Sequence, residues 1–355
     1  MQSTNSLNSE IYFDVNAYKK LEALVSTENY SKIFIFVDEN TQIHCLKQFE
    51  KKNKLEDKFT LIVMPSGEEH KTISTCLKVW QKLSEEDADK KSLLINLGGG
   101  VVTDLGGFIA STFKRGIPFV NVPTSLLAMV DASIGGKTGV DFGNLKNQIG
   151  VVNLPELVII DTEFLKTLPE NHYNSGLAEM LKHGLIYNEK YWHQMTSFVA
   201  ENIGDLDTLI YESITIKDKI VTQDPLENGL RKTLNYGHTL GHAIESLYLK
   251  QSESKTLLHG EAIAIGMILE TYLSYKILDF PEEKLHNIKK AIQNLFGKVI
   301  IEKANFMAII ELLKFDKKNT YGNVNFVLLN NIGQTLLDCK VDNALILEAF
   351  EYNNQ

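Results

Sequence analysis

Cysteine is scarce. The 355-residue chain has three, Cys45, Cys76 and Cys339, scattered without a pairing or CxxC pattern. That usage fits a reducing cytoplasm, and the thiols read as core or surface groups without a chemical role. Long apolar runs are also missing. The longest, such as Ala262 to Leu269, fall far short of the ~20 residues that cross a bilayer. The opening MQSTNSLNSE has neither a basic start nor an apolar core, so no secretory signal is expected. Nor is there an excess of positive charge: 36 Lys and Arg stand against 45 Asp and Glu, a net −9. This balance argues against a general nucleic-acid or anionic-membrane surface. It leaves room for a small anionic substrate, which needs only a local basic cluster. Internal repeats and low-complexity linkers are absent.

What is present suits a folded protein. Hydrophobic residues make up 44% and charged residues 23%, enough for a sizeable core. At roughly 150 residues per domain, the length predicts two domains. The first half alternates strands and helices. SKIFIFVD (31–38), FTLIVMP (59–65), SLLINLG (92–98), PFVNVPT (118–124) and VVNLPELVIID (151–161) are short β-branched and aromatic runs. Helical patterns such as TISTCLKVWQKLSEED (72–87) lie between them. This predicts a doubly wound, mostly parallel, Rossmann-like α/β sheet. The strands end in DEN (38–40), SGEE (66–69), GGG (98–100) and PTS (123–125), and ligands of such sheets bind at those ends. Beyond about residue 168 apolar residues take helical spacing, with one strand-like run, NVNFVLLNNIG (323–333). The expected division is residues 1–168, an α/β domain, and 169–355, a mostly α-helical domain.

Four segments carry chemistry. In INLGGGVVTDLGGFIAS (95–111) a strand runs through glycines into a helix. Such glycines admit a phosphate to backbone amides at a helix N-terminus; the alternative is a tight strand–helix turn. The fit to GxGxxG is imperfect, with Thr103 at the third glycine. In VDASIGGKTGVDFGNLKNQIG (130–150) the P-loop pattern fails, because Asp131 stands at its first glycine. What remains is a Gly-rich loop with Lys137 and Lys146 as grips for an anion, or as solubilising charges. In GHTLGHAIE (237–245) His238 and His242 share a helix face, and His259 follows within 22 residues of His238. With Glu179 on SGLAEMLKHG they suit a zinc site with an open position. Spacing does not choose the ligands: Glu179 and His183 form another pair at the same interval. Finally Arg115, Lys182, Lys217, Arg231, Lys317 and Lys318 flank these segments. Singly each reads as surface charge; together they suit a phosphate and carboxylate substrate.

From about residue 66 to 333 these segments resemble the 3-dehydroquinate synthase family of sugar-phosphate cyclases. The carriers are SGEEHK (66–71), GGGVVTDLGGFIAS, KRGIPFVNVPTSLLAMVDASIGGKTGV (114–140), LKNQIG, SGLAEMLKHG, GLRKTLNYGHTLGHAIE and LLHGEAIAIGM. Several long motifs in one order are far more specific than one glycine fingerprint. The resemblance implies an N-terminal NAD-binding domain and a helical domain holding one divalent metal, zinc or cobalt. It makes Glu179, His238 and His259 the metal ligands and turns His242 toward the substrate. It assigns NAD to Asp38, Asn40, Glu68, Lys71, Gly99, Gly100, Val101, Asp104, Thr124 and Ser125, with Asp131, Lys137 and Lys146 beside it. Around the substrate it puts Asp131, Lys137, Lys146, Asn147, Lys182, Lys217, Arg231, Asn235, His242 and Lys318. Arg115 would grip the phosphate, from the neighbouring subunit of a homodimer. His242 and Lys182 would assist proton movement, and Lys137, Asn147 and Arg115 join them as catalytic candidates.

The implied reaction turns 3-deoxy-D-arabino-heptulosonate 7-phosphate into 3-dehydroquinate and phosphate. Transient oxidation, phosphate β-elimination, re-reduction, ring opening and aldol closure follow one another without net redox. The sequence departs from the family at Asn171 and His172, where an Arg-Glu pair is usual, at Pro225, where an acidic residue is usual, and at Ser125, which keeps a hydroxyl. The first two put local loop structure in question. Rival readings are another sugar-phosphate cyclase, a metal- and NAD-dependent polyol dehydrogenase, and a non-catalytic nucleotide-binding module.

Overall fold

The computed structural model describes residues 4–6, 9–53, 55, 58–143, 145–201, 203–248, 257–314 and 324–355. Lys317 and Lys318 lie outside the described residues. The chain divides into two compact units, Met1–Pro169 and Glu170–Gln355, each with its own core.

The N-terminal unit is built on a seven-stranded sheet. Its strands are β1 (Thr4–Ser6), β2 (Ser9–Phe13), β3 (Ile33–Asp38), β4 (Thr60–Met64), β5 (Leu93–Gly98), β6 (Phe119–Pro123) and β9 (Leu157–Ile160), in the order β1-β2-β9-β6-β5-β3-β4. All neighbours are parallel except β1 with β2. Residues 33–37 of β3 and all of β5 are buried, as expected for strands covered on both faces. From β3 the chain steps outward to β4, returns to the other side of β3 as β5, and moves on to β6. Right-handed crossovers in opposite directions put their helices on opposite faces. The carboxyl ends of β3 and β5 therefore flank a topological switch point, where open α/β sheets form a ligand crevice. Phe34, Phe36, Ile62, Leu94 and Phe119 from the strands pack with Val79, Leu83, Leu105 and Ile109 from helices Ile73–Glu85 and Gly100–Thr112.

The segment read as a Gly-rich loop is in part an antiparallel hairpin of β7 (Lys137–Phe142) and β8 (Leu145–Val152). Here Gly139 faces Gly150, and a Cβ on Gly139 would lie 2.6 Å from the Ile149 carbonyl oxygen. The glycines thus let the two strands close. The expected strand 151–161 is correspondingly two pieces: Val151 and Val152 end β8, and the sheet strand begins only at Leu157.

The C-terminal unit is mostly helical, with one hairpin of β10 (Phe326–Asn331) and β11 (Gln334–Cys339). Helix Glu170–Tyr187 is buried on all sides from Ser175 to Ile186. Helices His238–Tyr248 and His259–Leu278 pack closely. A Cβ on Gly266 would lie 1.9 Å from the Gly237 carbonyl oxygen, so glycine is what permits this approach. Leu240, Ile244, Ala262, Ile265, Leu269 and Phe306 fill the core around them.

Candidate functional site

In the N-terminal unit the expected nucleotide residues gather at the carboxyl ends of the strands. Asp38 ends β3, and its carboxylate accepts the Thr41 amide at 2.7 Å, capping the helical stretch that contains Asn40. Gly99 caps helix Gly100–Thr112 without a side-chain bond. The amides of Gly100, Val101 and Val102 lie in that helix's first turn, where no intrahelical acceptor is available. Cβ atoms on Gly99 and Gly100 would sit 3.4 Å from Ser125 Oγ and from Ala132 Cβ. Those are ordinary contact distances, and it is the first-turn N–H groups that suit a phosphate here. Thr124 is buried and donates its amide to the Gly98 carbonyl at 3.0 Å. Asp131 lies in a π-helical turn, Ala128–Ala132.

A charged cluster adjoins this edge. Lys71 is 3% exposed and donates from Nζ to Asp104 Oδ2 at 2.7 Å and to Asn147 Oδ1 at 2.6 Å. Burial works to lower its pKa, but Asp104 and Glu68 outweigh it and hold the ammonium above its ordinary value. Lys146 Nζ lies 3.4 Å from Glu68 Oε1. Asn147 has φ +53° and donates its amide to Asp141 at 2.7 Å. The hairpin tip is tied to the Glu68–Lys71 turn in this way, which brings Lys146 and Asn147 to the expected nucleotide residues. Lys137 is exposed at the start of β7. Arg115 stands elsewhere, in an open depression with Asp89, Lys90, Lys91 and Lys114. Lys114, Arg115 and Gly116 all have positive φ, 50°, 68° and 110°. Holding two non-glycine residues there costs roughly 1–2 kcal/mol each, a strain that often marks function. The cysteines are buried; burial pushes the Cys45 thiol up to about 11 and Cys76 up to about 12. As thiols, they are poor nucleophiles at neutral pH.

In the C-terminal unit four expected groups meet. Glu179 is fully buried, and among the described residues neither of its carboxylate oxygens receives an aligned hydrogen bond. Lys182, one turn on, forms an ion pair with Oε2 and donates to the Leu234 carbonyl at 2.9 Å. His238 Nε2 is 3.6 Å and His259 Nε2 3.8 Å from Glu179 Oε1. His242 joins them: each of the three imidazoles offers a nitrogen within 4.8 Å of the others. Bonds of about 2.1 Å in a tetrahedral shell put ligand atoms about 3.4 Å apart. A divalent cation therefore fits this donor set with small side-chain adjustments, and it would satisfy the buried carboxylate. His183, the other half of the alternative pair, contacts Ser213 Oγ through Nδ1 at 2.7 Å.

The outer contacts set the tautomers. His238 Nδ1 lies 3.1 Å from the Tyr236 carbonyl oxygen, which can only accept. Nδ1 therefore donates, which leaves Nε2, the atom facing Glu179, as the nitrogen that would ligate a metal. Sequence reading left Glu245 and Glu270 unassigned. Glu245 Oε2 lies 3.3 Å from His259 Nδ1. Its spacing, three after His242 and seven after His238, was a signal that it shares their helix face. Glu270, fully buried, accepts the amides of Gly237 at 2.7 Å, Thr239 at 3.1 Å and Leu240 at 3.3 Å. It caps the His238 helix from across the helix pair, which no local pattern discloses.

The basic candidates here are buried rather than solvated: Lys182, Lys217 and Arg231 are 1%, 6% and 2% exposed. Arg231 Nη1 donates to the Pro225 carbonyl at 2.8 Å, so the departure at Pro225 still supplies a main-chain anchor. Asp224 holds the same loop by accepting the amides of Asn228, Gly229 and Arg231. Asn235 donates to Glu227 at 2.7 Å, a partner sequence reading did not name. Asn171 and His172 sit in the first turn of a helix that forms regardless, from Glu170.

Comparison with known proteins defines the class first. The fold matches the solved structure of a 2-epi-5-epi-valiolone synthase from Streptomyces hygroscopicus subsp. jinggangensis, which has NAD+ and Zn2+ bound. The TM-score is 0.85 at 25% identity, covering 99% of this chain and 98% of that one. The family models of 3-dehydroquinate synthase match residues 61–175 (N-terminal) and 176–319 (C-terminal). A 3-dehydroquinate synthase from Parabacteroides distasonis is 41% identical over 94% of both chains. One from Streptococcus pyogenes is 37% identical over 96% of this chain and 95% of its own. The chain belongs to the 3-dehydroquinate synthase family.

Proposed function

We propose that the chain converts 3-deoxy-D-arabino-heptulosonate 7-phosphate into 3-dehydroquinate and phosphate, acting as a phosphorus–oxygen lyase without net redox. Membership of the family supports this reading. The observation that carries it is the buried Glu179 carboxylate facing the Nε2 atoms of His238 and His259. When bound, the divalent metal supplies Lewis-acid polarisation of a substrate hydroxyl and NAD a reversible hydride acceptor. Glu179, His238 and His259 hold the metal. Asp38, Asn40, Glu68, Lys71, Gly99, Gly100, Val101, Asp104, Thr124 and Ser125 hold NAD in the N-terminal unit. Lys182, Lys217, Arg231 and Asn235 bind substrate in the C-terminal unit. Their burial favours this, since a desolvated cation grips an anion strongly. The family resemblance adds Asp131, Lys137, Lys146, Asn147 and Lys318 as substrate residues, and His242 moves a proton.

The enzyme works as a cytoplasmic homodimer in which Arg115 reaches the partner's substrate phosphate. Its strained backbone beside Lys114 supports a presented, functional side chain. The exposed apolar residues of the β7–β8 hairpin, Phe142 at 64% and Val152 at 54%, support a covering partner. No helix among the described residues is long and apolar enough to cross a membrane.

Phosphate release from the heptulosonate, with catalytic NAD and before and after chelation, is the test. The expected result is metal-dependent release without NADH accumulation. Stoichiometric NADH would mean a dehydrogenase. Turnover of sedoheptulose 7-phosphate or glucose 6-phosphate in place of the heptulosonate would mean a different cyclase.

A further inference from the structure

One buried carboxylate in the C-terminal unit has no place in the reading above. Glu245 sits two turns after His238 on helix His238–Tyr248 and is 2% exposed. Carboxylates are almost never buried to this degree without a partner or a function. Its Oε2 lies 3.3 Å from Nδ1 of His259, on the next helix. An ionised carboxylate only accepts hydrogen bonds, so Nδ1 of His259 carries the ring proton. In the neutral ring that a metal requires, the lone pair then falls on Nε2, the atom 3.8 Å from Glu179 Oε1.

We propose that Glu245 is a positioning residue for the metal site: it fixes the tautomer and plane of His259 and raises the basicity of its Nε2. The two histidines are then held unequally. His238 leans on a neutral acceptor, the Tyr236 carbonyl at 3.1 Å, whereas His259 leans on a charge. A carboxylate behind an imidazole makes it the stronger donor. His259 also starts its helix, where the chain is least constrained by the helical ladder. Glu261 ties down the terminus itself by accepting the Leu258 amide at 2.7 Å, and Glu245 restrains the imidazole. The Glu245–His259 contact also links the two histidine helices. The inference rests on reading His259 as a ligand, and the experiment separates the two claims.

The test is metal affinity, not turnover. Full-length protein is stripped with a chelator, and zinc affinity is measured by competition with a chromophoric chelator. Wild type is compared with Glu245→Ala, Glu245→Gln and His259→Ala. Cobalt spectra and metal-free melting are recorded in parallel. Loss of an outer-shell partner typically weakens metal binding 10- to 100-fold. Glu245→Ala is expected to fall in that range and to shift the cobalt d–d bands, with metal-free melting near wild type. Glu245→Gln retains an acceptor oxygen without the charge, so about a threefold to tenfold loss is expected, less than for alanine. If Glu245→Ala does not fold, any threefold or greater loss in Glu245→Gln supports the proposal. Wild-type zinc affinity in the folded Glu245 variants, alongside a large loss in His259→Ala, overturns the positioning role and leaves the metal reading intact. Wild-type affinity in His259→Ala overturns the ligand reading itself, and the inference with it.

Discussion

At the residue scale, the three imidazoles are close enough that each could serve as a ligand, so the proposed division of roles makes sharp demands on variants. His238→Ala is expected to lose stoichiometric metal. His242→Ala is expected to keep it and lose about 10²- to 10⁴-fold in kcat, the usual cost of removing a general acid or base. Metal analysis on the purified variants, with phosphate release beside it, checks both. A His242→Ala protein without metal would reverse the assignment. Lys71 makes a different demand. Replacing it by Met leaves Asp104 with its cation removed. Breaking a buried pair costs about 3–5 kcal/mol, reduced here to about 2–3 kcal/mol because Asp104 keeps some solvent. The folded ammonium lies above its ordinary value, so its stabilisation is complete at neutral pH and is withdrawn as pH rises past about 10. The gap in unfolding free energy between wild type and Lys71→Met should shrink in strong alkali, and it should also shrink on acidification, because burial already holds the Asp104 carboxyl above its ordinary value and loss of Lys71 raises it further. NAD affinity should fall in the same variant.

Among elements, the geometry of the histidine site depends on how two helices cross. Gly266 has no room for a methyl group against the Gly237 carbonyl, so Gly266→Ala must push the helices apart. Overpacking of this kind costs about 1–3 kcal/mol. Because His238 and His259 sit one on each helix, zinc affinity should fall with stability. Chemical denaturation and chelator competition on the one variant check this. A variant that lost stability yet bound zinc normally would show that the crossing does not set the ligand distances. Glu270 acts at the same place by another route, since its carboxylate holds three amides around the start of the His238 helix. The glycines that flank the histidines in the sequence thus serve the packing of their helices.

For the whole molecule, two units with separate cores should respond separately to two ligands. A ligand bound only by the folded state stabilises by about 2.7 kcal/mol at 100 times its Kd. NAD should therefore raise the melting of the N-terminal unit, and zinc that of the C-terminal unit. Calorimetry with each ligand alone and with both gives the check. Equal shifts of a single transition by either ligand would mean that the units unfold as one.

Much of this was readable beforehand. Strands such as SLLINLG are buried on both faces and so are written as unbroken apolar runs. The helix GHTLGHAIE shows its period, and its motif names its family. The β7–β8 hairpin was not readable: its strand β8 is mostly exposed, and its glycines look like loop. Glu245 and Glu270 are not legible as site residues, because an acidic residue in an amphipathic helix normally faces water.

Composition, strand and helix periodicity and the ordered motifs were enough for the two-domain α/β and helical plan, the family and the residues to suspect. Those are properties of nearest neighbours along the chain and of segments quoted whole. Which imidazole nitrogen faces the Glu179 carboxylate, which carboxylate supports which histidine, and that Lys71 keeps its charge though buried were settled only by folding. Each depends on groups separated along the chain, by 14 residues for Glu245 and His259 and by 33 for Lys71 and Asp104, brought within 4 Å of one another, and contacts of that kind are not written in local spacing.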